Sequence, residues 1–454
     1  MSARALTLGR AFGIGTAKTK KKAKGKKKRS RAAAPSTEYS LMLTATLCLL
    51  ALGAVMVFSA SSTTQVLGAD GSLANSAYYL KRTLMIGLVG LVVMHLTARH
   101  GLVAVRRLTP VLLVSSFVLL FLVLVAGTSV NGASRWLGPG SLQFQPSELA
   151  KLALILYGAD MLAREPKRVR SLQGLRPFLL VVGVACLLIV AEPDLGTTMV
   201  VAFAVGATLL AAGARPVDLG KIALCIAGLA LLLTVIEPYR MARLTGFLNP
   251  GADAAGAGFQ AAQAKIALGS GGIFGVGIGN GVGKAGFLPE AHTDMISAVI
   301  GEELGLIGIF SVVGLFGLFG YAGLRVAQRA RDRYSKLLVA GLTSMILVQA
   351  TINLFAVMGM APLTGVPLPF VSYGNSSLLV TLLAVGLILG VARGGTAAAG
   401  KLRVVEGGRT AGVRKRSQGS KIKRGGKSAQ GRGSSGGNRR PRRASDGRRR
   451  RASG

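Results

Sequence analysis

The sequence predicts an all-α polytopic membrane protein with about ten transmembrane helices. Half of its 454 residues are hydrophobic, and its mean hydropathy is +0.51. A soluble chain of this length could not bury that much apolar surface. Apolar stretches also recur along the chain, and several approach or exceed the roughly 18 residues needed to cross a hydrocarbon core of about 30 Å.

The predicted spans follow one another from residue 39 to residue 391, and the second, fourth and fifth are short or amphipathic. A long loop, residues 238–293, separates the seventh span from the eighth. The spans are residues 39–60, 84–98, 108–128, 149–162, 178–191, 197–212, 217–236, 295–326, 337–358 and 378–391.

The formal net charge of +38 comes mostly from two segments, residues 18–31 and 401–451. These segments are rich in Lys and Arg, and the second also in Gly and Ser, so we expect unfolded tails at 1–37 and 395–454 around a membrane domain at 38–394. The tails are expected to bind anionic lipid headgroups, with a cytoplasmic protein as the alternative partner. We expect no specific nucleic-acid partner, because the charge is concentrated in tails.

Basic loops alternate along the chain and indicate the orientation of the protein in the membrane. Groups of Lys and Arg precede the first predicted span and follow the second, fourth, eighth and last, and Arg215 follows the sixth. Because basic loops are retained on the cytoplasmic side, we expect both termini to be cytoplasmic. The loops at 238–293 and 361–375 are then expected to face outward, away from cytosolic nucleotides.

Some cations lie in the outward loops, where the topology gives no reason for them. They suggest an anionic ligand at the outer face, since arginine matches phosphate oxygens with paired N–H donors. Pairing with lipid headgroups or with nearby carboxylates is the alternative. These cations are Arg135, Arg240, Arg243, Lys265 and Lys284.

Acidic side chains are scarce, and a group of them lies where the outward loop meets the eighth predicted span. The segment 288–305 contains His292, Asp294, Glu302 and Glu303. Asp294 lies at the membrane boundary and is the candidate general base, with helix capping as the alternative. Glu302 and Glu303 point about 100° apart on a helix, so at most one can face a given cavity.

Three further segments carry polar residues at the outer ends of predicted spans. The segment 134–151 includes Gln145. In the same segment, Glu148 and Lys151 lie one helical turn apart and could form an ion pair or the polar wall of a cavity. Asp194 follows the fifth span, where capping of the next helix is favoured over ligand binding. The proline-rich segment 366–377, with Ser372 and Ser376, is expected to line the same cavity as Asp294.

Taken together and in this order, these motifs resemble the SEDS family (shape, elongation, division and sporulation proteins), and in particular its cell-division branch. The sequence departs from the family pattern at Gly251, Gly281 and Asn375. The resemblance covers residues 38–393 and rests on Arg-Trp-Leu at 135–137, Phe-Gln-Pro-Ser-Glu-Leu-Ala-Lys at 144–151, Pro-Asp-Leu-Gly-Thr at 193–197, Ala-Leu-Gly-Ser-Gly-Gly at 267–272, Leu-Pro-Glu-Ala-His-Thr-Asp at 288–294 and Pro-Leu-Pro-Phe-Val-Ser-Tyr-Gly at 367–374.

The resemblance implies a ten-span fold and a peptidoglycan glycosyltransferase that polymerises lipid II outside the cytoplasmic membrane. It also implies a class B penicillin-binding transpeptidase as partner, other division proteins, a location at the division septum, and an essential catalytic role for Asp294. We expect Asp294 to act as general base on the acceptor sugar in an inverting transfer from a polyprenyl-pyrophosphate donor. Arg135, Arg240, Arg243 or a divalent cation, Mg or Mn, would meet the leaving-group charge.

Other candidate residues are expected to line the cavity or to position the base. These residues are Gln145, Glu148, Lys151, Asp194, Lys284, His292, Glu302, Ser372 and Ser376.

A lipid II flippase is the main alternative function, and a membrane scaffold is a third. A transporter would carry ionisable residues at the midplane of the membrane and inverted repeats, and no repeat is visible between the two halves of the chain.

Overall fold

The computed structural model describes residues 36–62, 77–130, 133–138, 143–249, 258–284 and 287–394. Almost all of the N-terminal tail and all of the C-terminal tail predicted from the sequence lie outside these residues. Their expected lack of structure and their binding partners therefore remain predictions.

The described residues form a bundle of helices with one short antiparallel hairpin. The hairpin strands, β1 (Thr128–Val130) and β2 (Ala133–Trp136), pair with each other on the segment that leads into the fourth predicted span. The helices are α1 (Thr37–Ser61), α2 (Ala77–Leu96), α3 (Leu102–Ala126), α4 (Pro146–Arg164), α5 (Leu172–Ala191), α6 (Leu195–Ala212), α7 (Pro216–Ile236), α8 (Pro238–Leu248), α9 (Phe259–Ser270), α10 (Ile296–Arg329), α11 (Arg333–Val357) and α12 (Asn375–Gly394).

Among the described residues, 9 helices are long and apolar enough to cross a membrane, and they coincide with nine of the ten predicted spans. The remaining predicted span is α4, a 19-residue helix with ionic side chains at both ends. Its middle is buried by neighbouring helices, with Leu152, Leu154 and Leu156 almost fully covered. The prediction of an all-α polytopic membrane protein is therefore confirmed. Of the long helices that the structure describes, α4 is the most polar.

Burial separates the central helices from the peripheral ones. In α11 and α12, 72% and 78% of the most apolar window is buried inside the protein, whereas none of the corresponding window of α7 is buried. The central helix α11 packs against α4, α6 and α10, and α1 packs along α10. Polar side chains on α11 can therefore reach several other elements.

The long loop between α7 and α10 is partly helical. It contains α8 and α9, so the segment 239–243 is helical and places the backbones of Arg240 and Arg243 three residues apart on one helix. The loop then returns along α10 through residues 271–284, which form turns.

The helix α10 is interrupted at Gly305, which has φ 65° and ψ −159°. The loop before α10 supplies the missing backbone partners: the amide of Val276 donates to the carbonyl of Glu302 at 3.0 Å, and the amide of Leu306 donates to the carbonyl of Gly272 at 3.0 Å. Such pairing satisfies backbone groups that would otherwise be costly inside a membrane protein. The break therefore joins the loop to the N-terminal part of α10.

Candidate active site

Asp294 lies in a turn directly before α10 and does not cap that helix. The N-cap residue of α10 is Met295, which makes no side-chain cap, so the capping alternative for Asp294 is wrong. The turn closes through hydrogen bonds from the amides of Thr293 and Met295 to the carbonyl of Glu290, at 3.1 Å and 3.3 Å. The Asp294 side chain accepts from the Thr293 hydroxyl at 3.3 Å and is only partly buried.

The surroundings of Asp294 raise the pKa of its carboxyl to about 6. Burial is the main cause and the negative charge of Glu290 adds to it, while Arg243 and the hydrogen bond from Thr293 act in the opposite direction. A carboxylate with a pKa near the working pH can accept a proton and release it again. Asp294 is therefore suited to general-base chemistry.

Two cations line a narrow cleft between α8, α9 and the segment after α11. Arg243 donates to the carbonyl of Leu363 at 3.1 Å, and Lys265 shares the cleft with it. The lysine stem packs so closely on Gly359 that a Cβ atom there would lie 2.1 Å from Lys265 Cε. The segment 361–365 connects this cleft to Asp294, since a Cβ atom on Gly365 would lie 3.9 Å from Asp294 Oδ2.

The side chain of Asn353 on α11 fixes the turn that carries Asp294. Its amide nitrogen donates to the backbone carbonyls of Asp294 and Val366, both at 2.8 Å, and its oxygen accepts from the Ser297 hydroxyl. One amide thereby joins α11, the start of α10 and the segment 361–374. Asn353 was not predicted from the sequence as a site residue, although an amide in an apolar helix is itself a signal.

One turn along α11, Gln349 connects the same segment to α4. The ammonium of Lys151 donates to Glu148 and to Gln349, both at 2.8 Å, and the Gln349 amide donates to the carbonyl of Pro367 at 3.1 Å. Lys151 and Glu148 are almost fully buried. The ion pair expected between them is therefore present, and it supports the proline-rich segment through Gln349. Gln349 was not predicted from the sequence either.

A second cluster lies at the N-terminal ends of α4 and α6. The side-chain amide of Gln145 donates to Asp194 Oδ2 at 3.1 Å, and its backbone N–H donates to the Ser376 hydroxyl at 3.1 Å. Asp194 Oδ1 accepts from the amide of Thr197 at 3.0 Å, which confirms that it caps α6. These residues join α4, α6 and α12 around the active-site end of the bundle.

Arg135 and Ser372 bind backbone groups. The Arg135 guanidinium donates to the carbonyls of Glu192 and Pro193, and therefore fixes β2 to the turn before α6. The Ser372 hydroxyl accepts from the amide of Leu368 at 2.8 Å inside the proline-rich segment.

Lys284 belongs to a separate buried cluster with Glu303 and Glu302. Its ammonium lies 2.7 Å from Glu303 Oε1 and 2.9 Å from the Ser59 hydroxyl, so local pairing accounts for this loop cation. Glu302 Oε1 accepts from the amides of Val282 and Gly283, at 2.7 Å and 3.0 Å. Both carboxylates therefore hold the loop 271–284 against α1 and α10, in agreement with their expected supporting role.

His292 lies in an aromatic cluster next to Asp294. Its ring centroid is 4.8 Å from that of Tyr79 and 5.6 Å from that of Tyr373, and its carbonyl accepts from the amide of Tyr373 at 2.9 Å. Burial lowers the pKa of the imidazole, which favours its neutral form. The contacts agree with the expected positioning role of His292.

The side chain of Arg240, another predicted site residue, falls outside the described part of the chain.

The described residues contain no group of three or more His, Cys, Asp or Glu side chains able to hold a metal ion. Mg²⁺ is often held by one or two carboxylates together with substrate phosphates, so the expected divalent cation remains a prediction.

Comparisons with known proteins identify the family. The family model FTSW_RODA_SPOVE, described as "Cell cycle protein", matches residues 39–396. A Probable peptidoglycan glycosyltransferase FtsW from Trichlorobacter lovleyi is 39% identical over 361 residues, which is 79% of this chain and 94% of the relative. Stage V sporulation protein E from Bacillus subtilis is 40% identical over 360 residues, 78% of this chain and 96% of the relative.

Solved structures agree with the sequence relatives. A chain from a structure described as "Structural coordination of polymerization and crosslinking by a peptidoglycan synthase complex" has a TM-score of 0.65 and 30% identity, covering 80% of this chain and 98% of that chain. The rod shape determining protein RodA of Thermus thermophilus has a TM-score of 0.58 and 28% identity, covering 79% and 97%. This chain therefore belongs to the FtsW, RodA and SpoVE family of cell cycle proteins.

Proposed function

We propose that this chain is a peptidoglycan glycosyltransferase that polymerises lipid II into glycan strands during cell division. The support comes from relatives named peptidoglycan glycosyltransferase FtsW that match over most of their length. The observation that carries the assignment of the site is Asp294, a partly buried carboxylate with a pKa of about 6 beside Arg243.

The proposal places the active site at the outer face of the cytoplasmic membrane. Basic loops favour cytoplasmic ends for the chain, and Asp294 lies at the opposite end of α10 from Arg329. A division role further places the protein at the septum. The pyrophosphate bond of the lipid-linked donor would supply the energy, so no cytosolic nucleotide is needed at this face.

In the proposed reaction, Asp294 takes the proton from the 4-hydroxyl of the acceptor sugar. The hydroxyl oxygen attacks the anomeric carbon of the donor sugar as the bond from that carbon to the pyrophosphate oxygen breaks. The electron pair leaves with the pyrophosphate, the configuration inverts, and the proton on Asp294 is later released to water. One carboxylate base is sufficient for such a direct displacement.

The cleft lined by Arg243 and Lys265 suits the departing pyrophosphate. Arg243 is partly buried there and Lys265 is exposed, and the two positive charges together would stabilise the growing negative charge. Arg240 and Arg135 are further candidate cations for the pyrophosphate, although Arg135 also fixes the turn before α6. A bound divalent cation, Mg or Mn, is the other group that would meet the charge of the pyrophosphate.

The proposed partners follow from the reaction and from the family. The solved complex that coordinates polymerisation and crosslinking supports a class B penicillin-binding transpeptidase as the partner. Other division proteins and anionic lipids bound by the basic tails complete the proposal.

Lipid II transport is the second candidate, and one observation favours it. Discontinuous helices with buried ionisable residues are typical of transporters, and α10 is interrupted at Gly305 close to Glu302 and Glu303.

An assay on the full-length chain in vesicles separates the two functions, with lipid II supplied in either leaflet. Glycan strands formed from lipid II in the leaflet facing the active site support the polymerase. Movement of labelled lipid II between leaflets without strand formation would overturn it.

A further inference from the structure

A groove at the other end of the molecule from Asp294 carries charges that the proposed reaction does not use. It lies between α3, α4 and the start of α11. The helix α4 runs from Pro146 at the active-site end to this groove, and Asp160 is about 20 Å further along its axis at 1.5 Å per residue. The groove is lined by the first half of α3, the last part of α4 and the first turn of α11.

The charges in the groove leave an excess of arginine. Asp160 is shared by Arg106 at 2.9 Å and Arg164 at 2.7 Å. Asp332 is occupied as the cap of α11, where it accepts from the amide of Ser335 at 2.9 Å. With Arg107 also lining the groove, three arginines face two aspartates, so the groove attracts an anion.

Tyr334 provides an independent indication of a ligand. Its side chain is only 3% exposed, yet its hydroxyl has no hydrogen-bond partner among the described residues. The guanidinium of Arg106 lies over the tyrosine ring at 4.3 Å. A buried hydroxyl without a partner is costly, and an anionic oxygen beside Arg106 would give it one.

The walls of the groove identify the kind of anion. On α3 the groove continues from the arginines to Leu113 and Val114, and Val114 is 63% exposed on this helix, which is long and apolar enough to cross a membrane. Basic residues at a helix end followed by an apolar wall match a phosphate headgroup attached to acyl chains. A water-soluble anion would gain nothing from the apolar wall.

We propose that this groove binds an anionic phospholipid of the cytoplasmic leaflet. The phosphate contacts Arg106, Arg107 and Arg164 and accepts a hydrogen bond from the Tyr334 hydroxyl, while the acyl chains lie along α3. The lipid thereby joins α3, α4 and α11, and α4 and α11 carry the Glu148, Lys151 and Gln349 network. This site lies in the folded domain and is separate from any binding by the basic tails.

The test titrates the detergent-solubilised full-length chain with phosphatidylglycerol or phosphatidylcholine and counts bound lipids by native mass spectrometry. The wild type is expected to retain phosphatidylglycerol in preference to phosphatidylcholine. Arg106→Gln and Arg107→Gln should each weaken that binding by about fivefold. Arg170→Gln is the matched control, because Arg170 is an exposed arginine outside the groove and both tails are unchanged.

Tyr334→Phe separates a ligand contact from a structural role. If the hydroxyl binds lipid phosphate, the variant loses phosphatidylglycerol affinity while its melting temperature without added lipid is equal to or above that of the wild type. Equal binding of both lipids by the wild type would overturn the proposal. So would an effect of Arg170→Gln as large as that of Arg106→Gln, or unchanged binding by Tyr334→Phe.

Discussion

Asp294 and its neighbour Glu290 determine the expected pH dependence of the reaction. The base must be deprotonated to accept a proton, and its pKa is about 6, so the polymerisation rate should fall as the pH drops through that value. Glu290→Gln removes a negative charge that raises the pKa, and should move the acid limb of the profile to lower pH. Initial rates of lipid II polymerisation across the acid range measure this shift. A shift to higher pH, or none, would contradict the electrostatic description of Asp294.

The cations of the cleft give a second prediction for single residues. Arg243→Gln and Lys265→Gln should each lower kcat/KM for lipid II by about tenfold or more, because each removes a positive charge from the expected position of the pyrophosphate. Lys221→Gln is the matched control, since Lys221 is an exposed cation on the peripheral helix α7. Unchanged kcat/KM in both cleft variants would remove the cleft from the mechanism.

Single residues of the site could be predicted from the sequence to different degrees. Asp294 stood out because a carboxylate at a membrane boundary is rare and has few structural uses. Asn353 and Gln349 could have been noticed as amides in an apolar helix, but their partners are backbone carbonyls of a distant loop. Lys284 looked like a ligand-binding cation because its partner Glu303 could not be known before the loop was placed against α10.

Between elements, the Glu148 and Lys151 pair couples α4 to α11, and we expect it to control stability. Lys151→Met leaves the Glu148 carboxylate buried without its partner and should destabilise the protein by about 3–5 kcal/mol. The double variant Glu148→Gln with Lys151→Met should recover a large part of this loss, since no buried charge remains. Thermal unfolding of the purified variants tests this coupling, and simple additivity of the two single effects would refute it.

The break in α10 gives a prediction for the loop 271–277. Gly305 has φ 65°, and a Cβ atom there would lie 2.5 Å from the amide nitrogen of Gly275. Gly305→Ala should therefore lower the melting temperature, at a cost of about 1–3 kcal/mol for the backbone conformation alone. Gly314→Ala in the same helix is the control, because a Cβ atom there meets nothing within 4 Å. Equal melting temperatures for the two variants would contradict the expected contribution of the loop 271–277 and the Gly305 conformation to stability.

Most helices could be located from the sequence, whereas the break at Gly305 could not. Hydropathy identifies spans because every backbone group in a bilayer must be paired within its own helix. Glycine is frequent in transmembrane helices and rarely marks a break by itself. The conformation of Gly305 depends on loop amides that arrive from the segment 271–277, and such pairing is set by tertiary structure.

For the whole molecule, the proposed orientation makes a separate prediction. In a chain without its native cysteines, a cysteine at Gln260 or Ala361 should react with a membrane-impermeant thiol reagent on intact cells. A cysteine in either basic tail should react only after the membrane is opened. Reaction of a tail cysteine on intact cells would overturn the cytoplasmic placement of that terminus.

The arrangement of the spans illustrates what hydropathy cannot predict for the molecule as a whole. The helices α1 and α7 have the same mean hydropathy of 2.4 in their most apolar windows, yet 39% of one window and none of the other is buried in the protein. Lipid tails and a protein interior are similar surroundings for an apolar side chain, so the pattern does not distinguish a central helix from a peripheral one. Only polar residues such as those on α4 and α11 mark the interior.

The assignment of Asp294 as the base of a lipid II polymerase is tested by comparing the purified wild-type chain with Asp294→Asn in the same vesicles. Asparagine keeps the size of the side chain and cannot serve as the base. The wild type should produce glycan strands, and the variant should lose at least about 100-fold in rate with unchanged protein level and melting behaviour. Strand formation by Asp294→Asn at the wild-type rate would contradict the proposed mechanism.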